Sequence, residues 1–523
     1  MEKKAKGKGI AVEEATSLSK VKYANCATLY FNTALEVSVE STFVRALPGF
    51  SIVGMADQSI QESRERIKSA LSSVNFQFPS QKITINLSPS DLKKEGSHFD
   101  LVIAVLIALQ KERVTCKDFF MFGELGLGGE IKPTTTLFPI ILSLASKIQN
   151  LKVLVPQSVL PKIQQIPNIE AYGVNTLSQA LLFFKERHYE TATPYTTQAP
   201  LFEHSLTIDG RSYFYDPQFT LDFSDILGQE RAKRAMLIAA SGMHNILLEG
   251  SPGCGKSMSI KRLQYILPPQ SIEEIIASYA YHSLTHADAP LCALRPFRSP
   301  HHTSSRPSIF GGGSTQSKAG EVALAHNGIL FFDEFPNFSK TVLESLREPL
   351  EDQRVLISRV NSKISYETKF LFAAAQNPCP CGNLLSTTKE CRCSQNEILR
   401  YKNHISEPIL DRIDLYLQMS EEHSSQRGLS SKEMFVSVLK AFAMQKKRGQ
   451  SELNGKMDES STERFCILDE EARESLAMAQ SRFGLSARGI HKILRIARTI
   501  ADLDETEIIR KEHLLEALSF RKR

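Results

Sequence analysis

Residues 245–263 read NILLEGSPGCGKSMSIKRL. An apolar run (Ile246, Leu247, Leu248) leads into Gly250, Ser251, Pro252, Gly253, Cys254, Gly255, Lys256 and Ser257, and Met258 continues into a helical pattern. This is the G-x-x-x-x-G-K-[ST] spacing in the strand–loop–helix setting it requires. Glycines let backbone N–H groups converge on phosphate oxygens, and the helix N-terminus adds a favourable dipole. Lys256 can then reach β- and γ-phosphates, and Ser257 offers a hydroxyl to Mg2+. A second stretch, NGILFFDEF, reads as a buried parallel strand ending in Asp333 and Glu334. Ligands of open α/β sheets sit at such strand ends. An acidic pair there is usually a solvated turn. With a phosphate loop upstream, Asp333 suits the Mg2+ shell, and Glu334 suits the orientation or activation of water. A third strand, KFLFAAAQNP, runs to Asn377, whose amide can bond that water or the γ-phosphate if the strand lies beside Asp333.

Other residues admit two readings each. Arg412, between Asp411 and Asp414, is either a local ion pair or a finger donated across a subunit boundary. Arg488, just inside a C-terminal helical pattern, is either a second phosphate sensor or part of a basic helix face. The basic-face reading fits Arg495 and Arg498 better. The segment EDQRVLISRVNSKISYETKF alternates around VNSK as a hairpin does, with Arg354, Arg359 and Lys363 on or near its tip. These either track nucleic-acid phosphates or solubilise an exposed hairpin. Arg295, Arg298, His301 and His302, followed by glycines, suggest a second loop of this kind. Cys379, Cys381, Cys391 and Cys393 form two Cys-x-Cys pairs. Four thiolates can hold a structural Zn2+, and the alternative is reduced thiols capping a loop.

The elements that must position these groups follow from composition and periodicity. The chain has 523 residues, 42% hydrophobic and 23% charged, which reads as a soluble α/β multidomain protein. Residues 1–22 are a basic, polar tail, and 23–188 alternate strand and helix patterns. Residues 189–218 are polar and linker-like, 219–420 are a second α/β region, and 421–523 are helical. FDLVIAVLIAL, from Phe99, is too short for a membrane span and reads as a buried helix or strand. The net charge of +5 permits a nucleic-acid partner without arguing for one. Nine cysteines without a secretion signal suggest reduced thiols in the cytoplasm.

RPFRSPHHTSS, IFGGG, GEVALAHNGILFFDEF, LREPLED, QNPCPCG and LDRIDL together resemble the YifB/ComM family of magnesium-chelatase-like AAA+ ATPases. ALPGFSIVGMADQSIQESRERIKSAL and INLSPSDLKKEGSHFDLVIA extend the resemblance over residues 26–521. Two small departures are Gln376 in place of a usual Met and a missing Pro before Gly320. The resemblance implies an AAA+ P-loop core with a helix-2 insert and a hairpin before sensor 1, then a helical lid. It implies ATP and Mg2+, a homo-oligomeric ring, hexameric, and branch migration of single-stranded or branched DNA during natural transformation, beside recombination proteins and without a membrane. Lys256 and Ser257 become Walker A, Asp333 and Glu334 Walker B, Asn377 sensor 1, Arg412 the finger and Arg488 sensor 2. Ile226, Gly228 and Gln229 would line the adenine pocket. The N-terminal domain resembles the Lon proteolytic domain, an α+β fold of the ribosomal S5 domain 2 type. Its Ser position falls on His98, with Ser97 one place early, and its Lys position on Phe138, so no peptidase activity is expected. The competing readings are a metal-chelatase motor subunit and an ATP-dependent protein-remodelling factor.

Overall fold

The computed structural model describes all residues except 1–20, 31–32, 146, 165, 167–168, 187–202, 284–291, 313–318, 359–362, 422–427 and 522–523. The chain divides into two units, Met1–Thr197 and Gln198–Arg523.

The first unit is built on β1 (Val21–Tyr30), β2 (Thr33–Val44), β3 (Gly49–Val53), β4 (Lys82–Ser88), β5 (Cys116–Met121), β8 (Leu151–Pro156) and β9 (Ile169–Val174). A two-stranded pair, β6 (Glu124–Leu125) and β7 (Ile131–Lys132), stands apart from this sheet. The seven strands lie in the order β3-β4-β2-β1-β5-β8-β9. β1 and β2, and β2 and β4, are antiparallel, whereas β3–β4, β1–β5, β5–β8 and β8–β9 are parallel. The helix Gln58–Ser73 starts where the Asp57 carboxylate accepts from the Ile60 N–H at 3.0 Å, an N-cap. The apolar run after Phe99 is the helix Asp100–Ala108, buried from Asp100 through Ile107. Its one acid, Asp100, sits at the N-terminus, where the dipole favours it, and meets Arg66 Nε at 2.9 Å. Burial pushes the Asp100 carboxyl up, and Arg66 and Ser63 oppose the rise.

In the second unit, residues 205–214 of the expected linker form a hairpin, β10 (Ser205–Ile208) and β11 (Arg211–Phe214). Asp209 and Gly210 at its turn have φ of 48° and 77°, the pair of positive values an Asp-Gly turn supplies. Polar composition hid this signal, and Ile208 and Tyr213 in fact join the core. The main sheet contains β12 (Ile246–Gly250), β13 (Phe297–Arg298), β14 (Ile329–Phe332), β17 (Leu371–Gln376) and β18 (Leu415–Met419). All neighbours are parallel, in the order β13-β14-β17-β12-β18. Side chains alternate between two cores, as strand geometry demands. Ile246, Leu248, Ile329, Phe331, Ala373 and Ala375 face one core, and Leu247, Leu330, Phe332, Phe372 and Ala374 face the other. Parallel strands covered on both faces need these continuous apolar runs.

The C-terminal segment is helical, and its Met434, Val438, Phe442, Ile493, Ile496 and Ile500 share the first of these cores. Arg498 is no exposed basic residue. It is fully buried, pairs with Asp502 at 3.1 Å and donates to the Glu507 carbonyl at 2.6 Å. Arg448 and Asn454 also bond Asp502, at 2.7 Å each. A buried carboxylate holding two guanidiniums needs all these bonds to offset desolvation.

Candidate functional site

β12 delivers the chain to the loop 251–255, and the helix Lys256–Leu263 starts immediately after it. Gly255, the helix cap, has φ of 93°, a left-handed conformation in which a Cβ is strained. Lys256 turns back over the loop and donates to the carbonyls of Gly250 at 2.6 Å and Ser251 at 2.9 Å. It also reaches Asn377 Oδ1 at 3.2 Å. Burial lowers the Lys256 pKa, and the charges of Cys254 and Asp333 oppose that. Ser257 Oγ donates to Asp333 Oδ2 at 2.8 Å. β17 lies between β14 and β12, which puts Asn377 between the acidic pair and the loop. Glu334 adopts φ of 52°, is exposed, and accepts from Asn337 Nδ2 at 3.0 Å. His302 Nδ1 lies 3.5 Å from the same carboxylate. One cation, one hydroxyl, one carboxylate and one amide thus converge at the C-terminal ends of three adjacent parallel strands. Such a group can neutralise phosphate oxygens and fill part of a hard-cation shell.

Around this centre, Ile226 is buried, Gly228 has φ of 62°, and Gln229 has φ of 56° and donates from Nε2 to the Ser420 carbonyl at 2.7 Å. Pro252, Gly253 and Met258 are exposed.

Arg412 and Arg488 are not at this end. Arg412 precedes β18 and Asn245 precedes β12, so both mark the N-terminal edge of the sheet. A five-residue strand separates the two edges by about 16 Å. Arg412 pairs with neither Asp411 nor Asp414. Its guanidinium meets the Glu351 carboxylate, and Arg488 Nη2 meets the same carboxylate at 3.2 Å. Asp414 instead accepts from the Asn245 N–H at 3.0 Å and lies 3.8 Å from Arg495. Burial opposes its ionisation, but His244, Arg495 and Lys492 outweigh it and hold the carboxyl below its usual range.

Beyond Asn377, the Sγ atoms of Cys379, Cys381 and Cys391 lie 3.4, 3.6 and 3.7 Å apart, and all four cysteines of the cluster fall within 4.8 Å of one another. Zn–S bonds of about 2.3 Å in a tetrahedron place sulfurs about 3.8 Å apart, so the set fits that ion.

Family models match most of the chain. Residues 39–159 match "Subunit ChlI of Mg-chelatase", 222–427 "Magnesium chelatase, subunit ChlI", and 428–521 its C-terminal part. Competence protein ComM of Haemophilus influenzae is 36% identical over 496 residues, 93% of this chain and 94% of that protein. The chain belongs to the YifB/ComM family of magnesium-chelatase-like AAA+ ATPases. The uncharacterized protein YifB of Salmonella typhimurium is also 36% identical, over 497 residues, with the same shares covered. A maternal DNA replication licensing factor, mcm6, of Xenopus tropicalis is 19% identical over 216 residues, 38% of this chain and 25% of that protein.

For this YifB/ComM family member, two expectations about basic loops change. The hairpin is β15 (Arg354–Ser358) against β16 (Lys363–Glu367), antiparallel. Arg354 stands opposite Glu367 at its base, not its tip, because Val355 and Tyr366 root that end in the core. Lys363 opposes Ser358 at the far end, and Arg359 lies outside the described residues. Arg295 is not on a free loop. It is buried and donates to the carbonyls of Pro268 and Pro269 at 2.8 Å and of Asn327 at 2.7 Å. Arg298 is held by Glu321 at 2.6 and 2.8 Å.

Residues not singled out in the sequence brace the sheet that carries the site. Asn245 ties three strands together. Its Oδ1 accepts from the Phe372 N–H at 3.0 Å and Lys456 at 3.1 Å, and its Nδ2 donates to the Arg412 carbonyl at 2.8 Å. Glu249, buried on β12, accepts from Gln376 Nε2 at 2.6 Å. That bond accounts for a polar, buried Gln376 at the end of β17. Gly382 of the cysteine loop has φ of 80°, and a Cβ there would come within 2.7 Å of Pro252, so the loop abuts the phosphate loop. Long-range partners of this kind leave no local pattern in the chain.

Proposed function

We propose that the protein is an ATP-hydrolysing ring motor, hexameric, that acts on single-stranded or branched DNA and drives branch migration during recombination of incoming DNA. The observation that carries the hydrolytic part is the convergence of Lys256, Ser257, Asp333 and Asn377. Lys256 neutralises the β- and γ-phosphates, and backbone N–H groups of residues 250–257 cradle them. Ser257 and Asp333 would hold Mg2+, which supplies charge neutralisation of the phosphates. Glu334 takes the proton from the attacking water, and Asn377 orients that water. Ile226, Gly228 and Gln229 face the adenine.

No arginine comes to the phosphate end from Arg412 or Arg488 of the same chain, and this supports their use by a neighbouring copy. Each guanidinium would stabilise charge on the γ-phosphate bound to the next subunit. A ring with rotational symmetry repeats such a heterologous contact until it closes. Support for DNA comes from the likeness to a competence protein over 93% of the chain and from a hairpin with Arg354 at its base and Lys363 at its far end. Arg359, also proposed to contact DNA, lies outside the described residues. The four clustered cysteines are proposed to hold a structural Zn2+; zinc in the purified protein, lost in Cys391→Ser with Cys393→Ser, is the expected metal analysis. A cytoplasmic location is proposed; among the described residues no helix is long and apolar enough to cross a membrane.

The N-terminal unit is proposed to be a Lon-like scaffold without peptidase activity. His98 is buried with its Nε2 2.9 Å from the Ala27 carbonyl, Phe138 is buried, and Ser97 Oγ rests on the Glu124 carboxylate. A chelatase-type motor is the second reading, favoured by the family models over residues 222–521. The two are separated by titrating ATP hydrolysis with single-stranded, duplex and four-way-junction DNA and with a porphyrin. Stimulation by DNA alone supports the first reading, and stimulation by porphyrin alone replaces it with the second.

A further inference from the structure

A cavity of ≈ 240 Å³ opens at the N-terminal edge of the sheet, and the two candidate arginines and the base of the hairpin are parts of its wall. Arg412, Arg488 and Glu351 line it together with Gln353 and Thr368, the residues flanking the hairpin strands. Both guanidiniums converge on the one Glu351 carboxylate, Arg412 through Nη2 to Oε2 and Arg488 through Nη2 to Oε1 at 3.2 Å. Two arginines this close repel unless an anion lies between them. Burial lowers the Arg412 pKa, and the charges of Arg488 and Arg347 lower it further. The chain therefore supplies its own anion to the position a phosphate would take. Phosphate oxygens carry more charge than a carboxylate and bond arginine in the same forked geometry. Glu351 and Arg488 are each about half exposed, whereas the Arg412 side chain is 7% exposed, so an incoming anion meets Glu351 and Arg488 first and reaches Arg412 only as Glu351 leaves it.

Glu351 ends the helix Arg347–Glu351, and only Asp352 and Gln353 separate it from β15. Gln353 has φ of 51°, and its carbonyl accepts from the Thr368 N–H at 2.7 Å, closing the base of the hairpin. Glu351 thus lies three residues from Arg354, the first residue of the hairpin.

We propose that Glu351 is a resting latch: it holds Arg412 and Arg488 until the terminal phosphate of a neighbouring copy's nucleotide displaces it, and its release moves the hairpin. This rests on the reading that the two arginines act on a second copy. Glu351 is a positioning residue, since it touches neither nucleotide nor DNA.

The test compares Glu351→Gln, Glu351→Asp and Arg412→Ala in the full chain, measuring ATPase kcat and KM with and without an oligothymidylate strand. With the latch, Glu351→Gln raises DNA-free kcat about 5-fold or more at unchanged KM, and stimulation by DNA falls toward one. Glu351→Asp keeps most of the wild-type ratio. A Glu351→Gln enzyme with wild-type basal rate and wild-type stimulation, or with a lowered basal rate and intact stimulation, overturns the latch. Arg412→Ala separates the two failures. If it hydrolyses ATP normally, the finger reading falls and the latch with it. If it is inactive while Glu351→Gln behaves as wild type, the latch alone falls.

Discussion

The two edges of the parallel sheet in the second unit carry different sets of charged groups. At the C-terminal edge, Lys256 and Ser257 stand against Asn377 and Asp333, a set able to bind phosphates and a cation. At the N-terminal edge, Arg412 and Arg488 share Glu351. The first edge lacks an arginine from this pair, and the second lacks a phosphate loop. A strand's length keeps them apart within one chain, and on the proposed reading a second copy completes the site by bringing its N-terminal edge to the first copy's loop. The difference teaches that convergence of four side chains does not by itself bring in Arg412 and Arg488, which the fold of one chain holds at the opposite edge.

Breaking either edge is expected to have the largest effect. Lys256→Ala should abolish measurable ATP hydrolysis, and Arg412→Ala should lower kcat by about 10³-fold while nucleotide still binds, as read by fluorescent-nucleotide titration. Equal loss of nucleotide affinity in both variants would place Arg412 at its own chain's loop and erase the contrast. Next in size is a change that touches neither edge's chemistry. Asp502→Ala leaves Arg448 and Arg498 uncompensated in the core and should cost about 3–5 kcal/mol in denaturant unfolding. A loss under 1 kcal/mol would mean that the cluster is not supporting the helical segment.

Acid sensitivity sharpens a different contrast, between the phosphate site and the N-terminal unit. Burial lowers the His98 pKa to about 4. The folded state therefore keeps His98 neutral while the unfolded chain takes up a proton below its ordinary value near 6.5. Stability from this group is present above pH 6.5 and declines between pH 6.5 and 4, by up to about 1.4 kcal/mol per pH unit. Hydrogen-exchange protection of the helix Asp100–Ala108 should fall over that window, and His98→Leu should flatten the fall. The smallest effect is on DNA. Lys363→Ala with Arg359→Ala should weaken single-strand binding about tenfold at low salt and leave basal ATPase unchanged. Unchanged binding would remove the hairpin from the DNA path.

Much of this was legible in the chain because it rests on local patterns. The glycine spacing, the ILFF run leading to Asp333 and the strand leading to Asn377 announce themselves within ten residues each, and the fold brings Lys256, Ser257, Asp333 and Asn377 together. The Asp-Gly hairpin at 205–214 was equally local but was masked by its polar neighbours. Other features were illegible for a physical reason. Glu351 lies 61 residues from Arg412 and 137 from Arg488, and nothing local distinguishes it from a solvated helix end. Arg295 and Arg498 read as surface charge because burial of an arginine depends on carbonyls and carboxylates supplied by distant segments. Asn245 carries three strands on one amide, which no single-segment pattern encodes.

The most direct test of the two-edge account mixes Lys256→Ala subunits, whose arginines are intact, with Arg412→Ala subunits, whose phosphate loops are intact. Neither should hydrolyse ATP alone. If each site is shared between copies, an equal mixture should recover activity at about a quarter of the interfaces, those pairing an intact loop with an intact arginine. A mixture that co-assembles, as shown by co-purification of differently tagged subunits, yet stays inactive would contradict the account.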